Sequence, residues 1–112
     1  MLKKLLLLIS LLAIPAFSDT ASEINHLLNY VKATDCKYIR NGKIHTGKEG
    51  EKHIKAKYDY YKDDIKTAED FIRLSATKSM MSGSKYYIEC PGSPKVESGK
   101  WLLAELKSYR AK

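Results

Sequence analysis

The stretch Cys36-Lys37-Tyr38-Ile39-Arg40-Asn41-Gly42-Lys43-Ile44-His45 decides the fold, since it predicts a tight β-hairpin in a chain that is otherwise patterned for helices. An Asn-Gly pair between two short β-prone runs favours a two-residue type I′ turn, because that turn needs a positive φ at both central positions. Asn41 and Gly42 are therefore predicted to form the loop, with one strand on each side.

The turn also sets the register of the hairpin. The expected pairs are Arg40 with Lys43, Ile39 with Ile44, and Tyr38 with His45. Because side chains alternate along a strand, one face holds Ile39 and Ile44. The other face holds Cys36, Tyr38 and His45.

A third strand and four helices are predicted outside the hairpin. The strand covers residues 85–90, where apolar and aromatic residues alternate before Pro91-Gly92. Three helices follow a hydroxyl placed three residues before a carboxylate, at Thr20-x-x-Glu23, Thr46-x-x-Glu49 and Thr67-x-x-Asp70. Their apolar stripes predict helix ends near Ala33, Lys66 and Lys78, and a fourth helix is expected over residues 98–109.

The pattern as a whole predicts an α+β fold, with four helices packed on a small antiparallel sheet made of the hairpin plus one strand. A chain of 112 residues is short enough for one hydrophobic core, and no linker or repeat divides it. We therefore expect a single domain over residues 19–112. A large multi-part enzyme is excluded by length alone.

The first 18 residues have the pattern of an export signal. Lys3 and Lys4 precede an apolar run over residues 5–14, and Ala16-Phe17-Ser18 offers small residues for a cut before Asp19. Cleavage after Ala16 or Ala21 is the alternative. The apolar run is shorter than the roughly 20 residues that span a bilayer, so we expect cleavage, a mature chain without a transmembrane segment, and a periplasmic or secreted protein.

Export would place Cys36 and Cys90 in an oxidising compartment, where an even number of cysteines predicts a disulfide. Two cysteines allow only one pairing. The alternative, a catalytic thiolate or a metal-binding pair, needs reduced cysteines and is disfavoured in such a compartment.

The chain is basic, with a formal net charge of +7 that falls to +5 when Lys3 and Lys4 leave with the signal. Export argues against nucleic acid as the partner. Lysines and carboxylates also alternate along residues 43–64, which is typical of a solvated surface. Anionic envelope polymers or lipids remain an open alternative.

Several motifs together identify a family resemblance. They are Cys36-x-x-Ile39-Arg40-Asn41-Gly42, Tyr58, Thr67-Ala68-Glu69-Asp70-Phe71-Ile72, Ser82-Gly83-x-x-Tyr86, Cys90-Pro91-Gly92 and Trp101-Leu102-x-x-Glu105-Leu106. Across residues 23–110 the chain resembles the YfeK-like family of small exported bacterial proteins of unknown function. The resemblance implies a periplasmic domain with a Cys36–Cys90 bridge, and it brings no catalytic residue and no ligand.

Two groups of side chains are candidate sites. Arg40, Asn41 and Lys43 at the hairpin tip, with His45 nearby, form the preferred surface contact, because a fixed guanidinium suits a carboxylate or phosphate. A weaker alternative is a zinc-type site of His45, Glu49 and His53. No catalytic residue and no cofactor are predicted, since G-x-x-x-x-G-K at residues 42–48 lacks the following Ser or Thr of a phosphate-binding loop.

The function that follows is a non-enzymatic binding or interaction domain of the bacterial envelope, because no set of nucleophile, base and orienting group can be assembled. Its partner is expected to be an envelope protein or an anionic polymer. The alternatives are a metal-binding protein or small metal-dependent enzyme, and a binder of anionic envelope polymers or lipids. The oligomeric state is left open.

Overall fold

The hairpin forms with the predicted register. A computed structural model of the protein describes residues 19–112, and in it strand β1 (Lys37–Arg40) pairs antiparallel with strand β2 (Lys43–His45). Asn41 and Gly42 have φ values of 52° and 76°, as a type I′ turn requires. The signal sequence predicted for residues 1–18 lies outside the described residues.

Four α-helices surround the sheet. They are α1 (Thr20–Ala33), α2 (Gly47–Tyr60), α3 (Ala68–Ser75) and α4 (Ser98–Arg110). Thr46 forms the predicted capping box with Glu49, because the Thr46 hydroxyl accepts from the Glu49 amide and the Glu49 carboxylate accepts from the Thr46 amide. Thr67 likewise accepts from the Asp70 amide.

The first helix begins differently from the prediction. Asp19, not Thr20, is the N-cap, since its carboxylate accepts from the Ser22 amide at 2.7 Å. A carboxylate is at least as good a cap as a threonine hydroxyl, and it also complements the positive end of the helix dipole. Glu23, freed from the expected capping box, pairs with Arg110 instead.

Two helices end earlier than predicted. Helix α2 stops at Tyr60 rather than near Lys66, and a short 3₁₀ turn (Lys62–Asp64) follows it. Carboxylates at residues 63 and 64 are unfavourable at the negative end of a helix. Helix α3 stops at Ser75 rather than near Lys78, because the Thr77 hydroxyl donates to the Ile72 carbonyl that also closes the last turn.

The sheet has four strands, one more than predicted. Strand β3 (Tyr87–Glu89) is shorter than the expected run over residues 85–90, and a two-residue strand β4 (Val96–Glu97) lies where a loop was expected. The strand order is β2-β1-β3-β4, with every pair antiparallel. The hairpin and the two later strands therefore meet at the β1–β3 pair in the middle of the sheet.

The helices cover the face of the sheet that carries Tyr38 and Ile88, which are 1% and 0% exposed. Apolar side chains of all four helices complete this core: Ile24, Leu27, Ile54, Phe71, Ile72, Leu102 and Leu106. The opposite face is open, so Ile44 is 62% exposed. Helices packed on an antiparallel sheet confirm the predicted α+β class. The bond between Cys36 and Cys90 confirms the predicted disulfide.

The last residue of α4 connects three helices. Arg110 donates to both carboxylate oxygens of Glu23 on α1, at 2.8 and 3.0 Å, and to both oxygens of Glu69 on α3, at 2.6 and 3.0 Å. Glu23 is buried, so this pairing satisfies a charge that water cannot reach.

Within residues 19–112, no helix is long and apolar enough to cross a bilayer.

Candidate functional site

The residues predicted to form the contact site at the hairpin tip do not share one environment. Arg40 is half-buried and turns toward α2, whereas Lys43, its partner across the hairpin, is exposed. Asn41 holds the turn and accepts a hydrogen bond from the Ser82 hydroxyl at 3.2 Å. His45 is half-buried beside Glu49 and lines a different depression from that of Arg40. Only Arg40 and Asn41 of the predicted contact group share one cavity.

That cavity is a groove of about 420 Å³ between the hairpin tip, α2 and the segment before β3. Its polar part is formed by Arg40, His53, Lys57 and Tyr86. We call the whole cavity the cationic groove. Its apolar side is formed by Ala56, Tyr60, Tyr61, Met80 and Met81.

Helix α2 supplies two of the polar groups because residues four apart lie on one helix face. His53 and Lys57 have this spacing, next to the stripe that buries Ile54 in the core. Arg40 reaches them from the end of β1, where the tight turn fixes the backbone. Tyr86 is 2% exposed and positions its hydroxyl between the two α2 side chains.

Each hydrogen bond in the groove runs from a cation or from the Tyr86 hydroxyl to an uncharged acceptor. The Arg40 guanidinium lies 3.3 Å from His53 Nε2, and it can only donate, so Nε2 is the acceptor and the imidazole is neutral. Lys57 Nζ donates to the Tyr86 hydroxyl at 3.1 Å. That hydroxyl lies 3.2 Å from His53 Nε2 and is free to donate its own proton there.

The charges around His53 agree with a neutral ring. Burial, with the positive charges of Arg40 and Lys57 and the nearby His45, lowers the pKa of His53 to about 4. Burial and Arg40 also lower the pKa of Lys57, so each cation destabilises the other. Burial raises the pKa of the Tyr86 hydroxyl, which therefore stays protonated.

No carboxylate balances these charges in the part of the chain that the structure describes. Arg40 and Lys57 form no ion pair there, whereas Arg110 has two glutamates. Arg40 also retains N–H groups beyond the one that meets His53. The groove thus presents positive potential and hydrogen-bond donors, the two properties that bind a carboxylate or phosphate.

The same hydrogen bonds leave little capacity for acid–base or nucleophilic chemistry. His53 Nε2 already accepts from its neighbours, so it is not a free base. Lys57 Nζ donates to the Lys78 carbonyl at 2.7 Å as well as to Tyr86, so both contacts hold it in place inside the groove. The arrangement is suited to binding.

The alternative metal residues do not converge. Glu49 is occupied as the capping-box acceptor, and its Oε1 lies 4.0 Å from His45 Nδ1. His53 turns away from both, toward Arg40 and Tyr86. Among residues 19–112, no three His, Cys, Asp or Glu side chains are grouped so that they could hold a metal ion.

Most of the groove is not predicted by the sequence. Lys57 was grouped with the solvated lysines, although its i,i+4 spacing from His53 was the available signal. The ring of Tyr86 is buried while its hydroxyl faces the groove, a division that the sequence does not indicate. No local pattern indicates that the segment with Met80 and Met81 lines the same groove as α2.

Comparison with known proteins confirms the family resemblance. Residues 18–110 match a family described as family of unknown function DUF5329. The uncharacterized protein YfeK of Salmonella typhimurium is 32% identical over 81 residues, which cover 68% of each chain. No solved structure matches the chain. With nearly all of its described residues inside the matched region, this chain belongs to the DUF5329 family.

Proposed function

We propose that this chain is a non-enzymatic binding protein of the bacterial envelope, and that it holds a carboxylate or phosphate group of an envelope component in the cationic groove. The observation that carries the proposal is the pair of half-buried cations, Arg40 and Lys57, which face one cavity without a carboxylate among the described residues. Such charges are costly unless an anion compensates them.

The disulfide and the export signal predicted for residues 1–18 support a location in the periplasm, where disulfides persist. The hydrogen bonds inside the groove support binding rather than catalysis. They hold the Arg40 guanidinium against His53 and the Lys57 ammonium against Tyr86, so both cations are already oriented before an anion arrives.

The proposal is tested by titrating isotope-labelled protein with inorganic phosphate and with acetate, and following the His53 imidazole signals by NMR. We expect saturable shifts, and a higher pKa for His53 in the presence of the anion, because a negative charge beside the ring favours its protonated form. The double variant Arg40→Gln/Lys57→Gln is expected to bind at least about tenfold more weakly, since it loses two charge-assisted contacts.

Lys107→Gln is the control, because it removes one positive charge from an exposed position on α4, an element that contributes nothing to the groove. It should bind both anions as the wild type does. Equal anion affinity in the double variant and the wild type would overturn the proposal.

A further inference from the structure

The apolar side of the cationic groove is more exposed than any other apolar region in the described chain. Six large hydrophobic side chains among residues 19–112 are exposed, and three of them lie here. Met81 is 100% exposed, Tyr60 80% and Met80 52%. The other three are isolated on separate elements: Ile44, Val96 and Leu103.

The methionines are held outward by an ordered loop, residues 79–84, which we call the methionine loop. Its ends are closed by hydrogen bonds from the Ser79 amide to the Ser84 carbonyl and from the Gly83 amide to the Ser79 carbonyl, both 2.9 Å long. Its Ser82 hydroxyl donates to Asn41. This contact fixes the loop beside the hairpin tip, directly next to Arg40.

Cations surround this apolar tip. Arg40 and Lys57 lie in the groove behind it, and Lys78 is exposed at its base, where it pairs with Lys85 across the loop. An apolar tip with a basic surround matches a bilayer surface, whose hydrocarbon boundary accepts apolar side chains while anionic headgroups attract Lys and Arg.

We infer that the methionine loop and Tyr60 insert into the surface of an anionic phospholipid bilayer while Arg40 and Lys57 hold a lipid phosphate. This inference rests on the proposed function and names the source of its anion. The three exposed side chains, two on the methionine loop and Tyr60 on α2, cover much less than the roughly 800 Å² per partner of a stable protein interface. Flexible, unbranched Met side chains adapt to an irregular partner such as acyl chains.

The test is co-sedimentation of the protein, purified from a host that exports it, with phosphatidylcholine vesicles that contain or lack phosphatidylglycerol. We expect binding to the anionic vesicles above the neutral background. Met80→Ser/Met81→Ser should bind them at least about tenfold more weakly, from lost apolar burial. Arg40→Gln/Lys57→Gln should bind about 25-fold more weakly, at roughly fivefold for each cation.

Two controls match these variants. Ile44→Ser removes an exposed apolar side chain from the β2 edge, and Lys107→Gln removes a cation from α4; both should bind anionic vesicles as the wild type does. Full binding by the methionine double variant would overturn the insertion. Phosphate binding in solution without vesicle binding would overturn the membrane as the source of the anion and leave the proposed function standing. Absence of both phosphate binding and vesicle binding would overturn the inference and the proposed function together.

Discussion

His53 shows how neighbouring charges set the protonation of one side chain. Its ring faces Arg40 and Lys57, with His45 and the Tyr86 hydroxyl nearby, and its pKa is lowered to about 4. We therefore expect the imidazole to titrate near pH 4 in an NMR pH series. The unfolded chain binds a proton at His53 below about pH 6.5, so this site destabilises the fold progressively as pH falls from 6.5 to 4.

The neighbouring cations can be removed one at a time. Arg40→Gln and Lys57→Gln should each raise the pKa of His53 toward 6.5, because each removes a positive charge that disfavours the imidazolium. Lys107→Gln should leave it unchanged. A wild-type midpoint near 6.5 would contradict the arrangement.

Two glycines illustrate what a sequence pattern hides. Gly47 and Gly50 lie in the first turn of α2, where glycine ordinarily weakens a helix. In the fold, a Cβ at Gly50 would lie 2.8 Å from the Tyr38 ring, and one at Gly47 would collide with the Val31 carbonyl. Both glycines allow close approach of α2 to its neighbours, a tertiary demand that helical spacing does not reveal.

Helix α4 depends on its last residue for its attachment to α1 and α3. Arg110→Ala should lower the free energy of unfolding by about 2 kcal/mol, because it leaves Glu23 buried without a partner. The expected loss is below the 3–5 kcal/mol typical of fully buried pairs, since Arg110 is 41% exposed. Urea unfolding followed by circular dichroism measures it.

Arg73→Ala is the control for Arg110→Ala. Arg73 pairs with Asp70 on the surface and is 65% exposed, so its removal should cost less than about 1 kcal/mol. Similar losses in the two variants would show that Arg110 behaves as an ordinary surface cation.

Elements were predictable where the local pattern is strong. The Asn41-Gly42 turn and the Thr46 capping box determine their own geometry, so the hairpin register and the start of α2 were predicted correctly. Strand β4 has only two residues and forms by pairing with β3, which leaves no periodicity to read. The groove combines side chains from three separate segments and could not be assembled without the fold.

The complete domain relies on its one covalent cross-link. The Cys36–Cys90 bond joins residues 54 apart, and the core it encloses is small. The double variant Cys36→Ser/Cys90→Ser should lose 2–5 kcal/mol of unfolding free energy, as is typical of native disulfides in small exported domains. Both cysteines are replaced together so that no free thiol remains.

Reduction of the wild-type protein is the matched comparison for the double serine variant. Both should show the same fall in urea midpoint, because both remove the same constraint from the unfolded chain. A loss below about 1 kcal/mol in both would mean that the helices and sheet are sufficient without the bond.

The class of the whole molecule was accessible from sequence because composition, capping and turn chemistry agree on an α+β fold with one bridge. The face of the sheet that the helices cover was not accessible from the sequence. The pattern allows the helices to cover either the Tyr38 face or the Ile39 face of the hairpin. In the fold they pack on the Tyr38 face. Cys36, bonded to Cys90, lies in the same core as Tyr38.

The strand order β2-β1-β3-β4 has a consequence for the way the chain is made. The chain emerges N-terminal end first, so the hairpin is released before the strand that must lie beside β1. The hairpin alone is marginal, because two strands without a partner have little independent stability. The domain can therefore close only when residues 87–89 and the helix after them are released, which favours folding in a single late step over stepwise growth from the N-terminus.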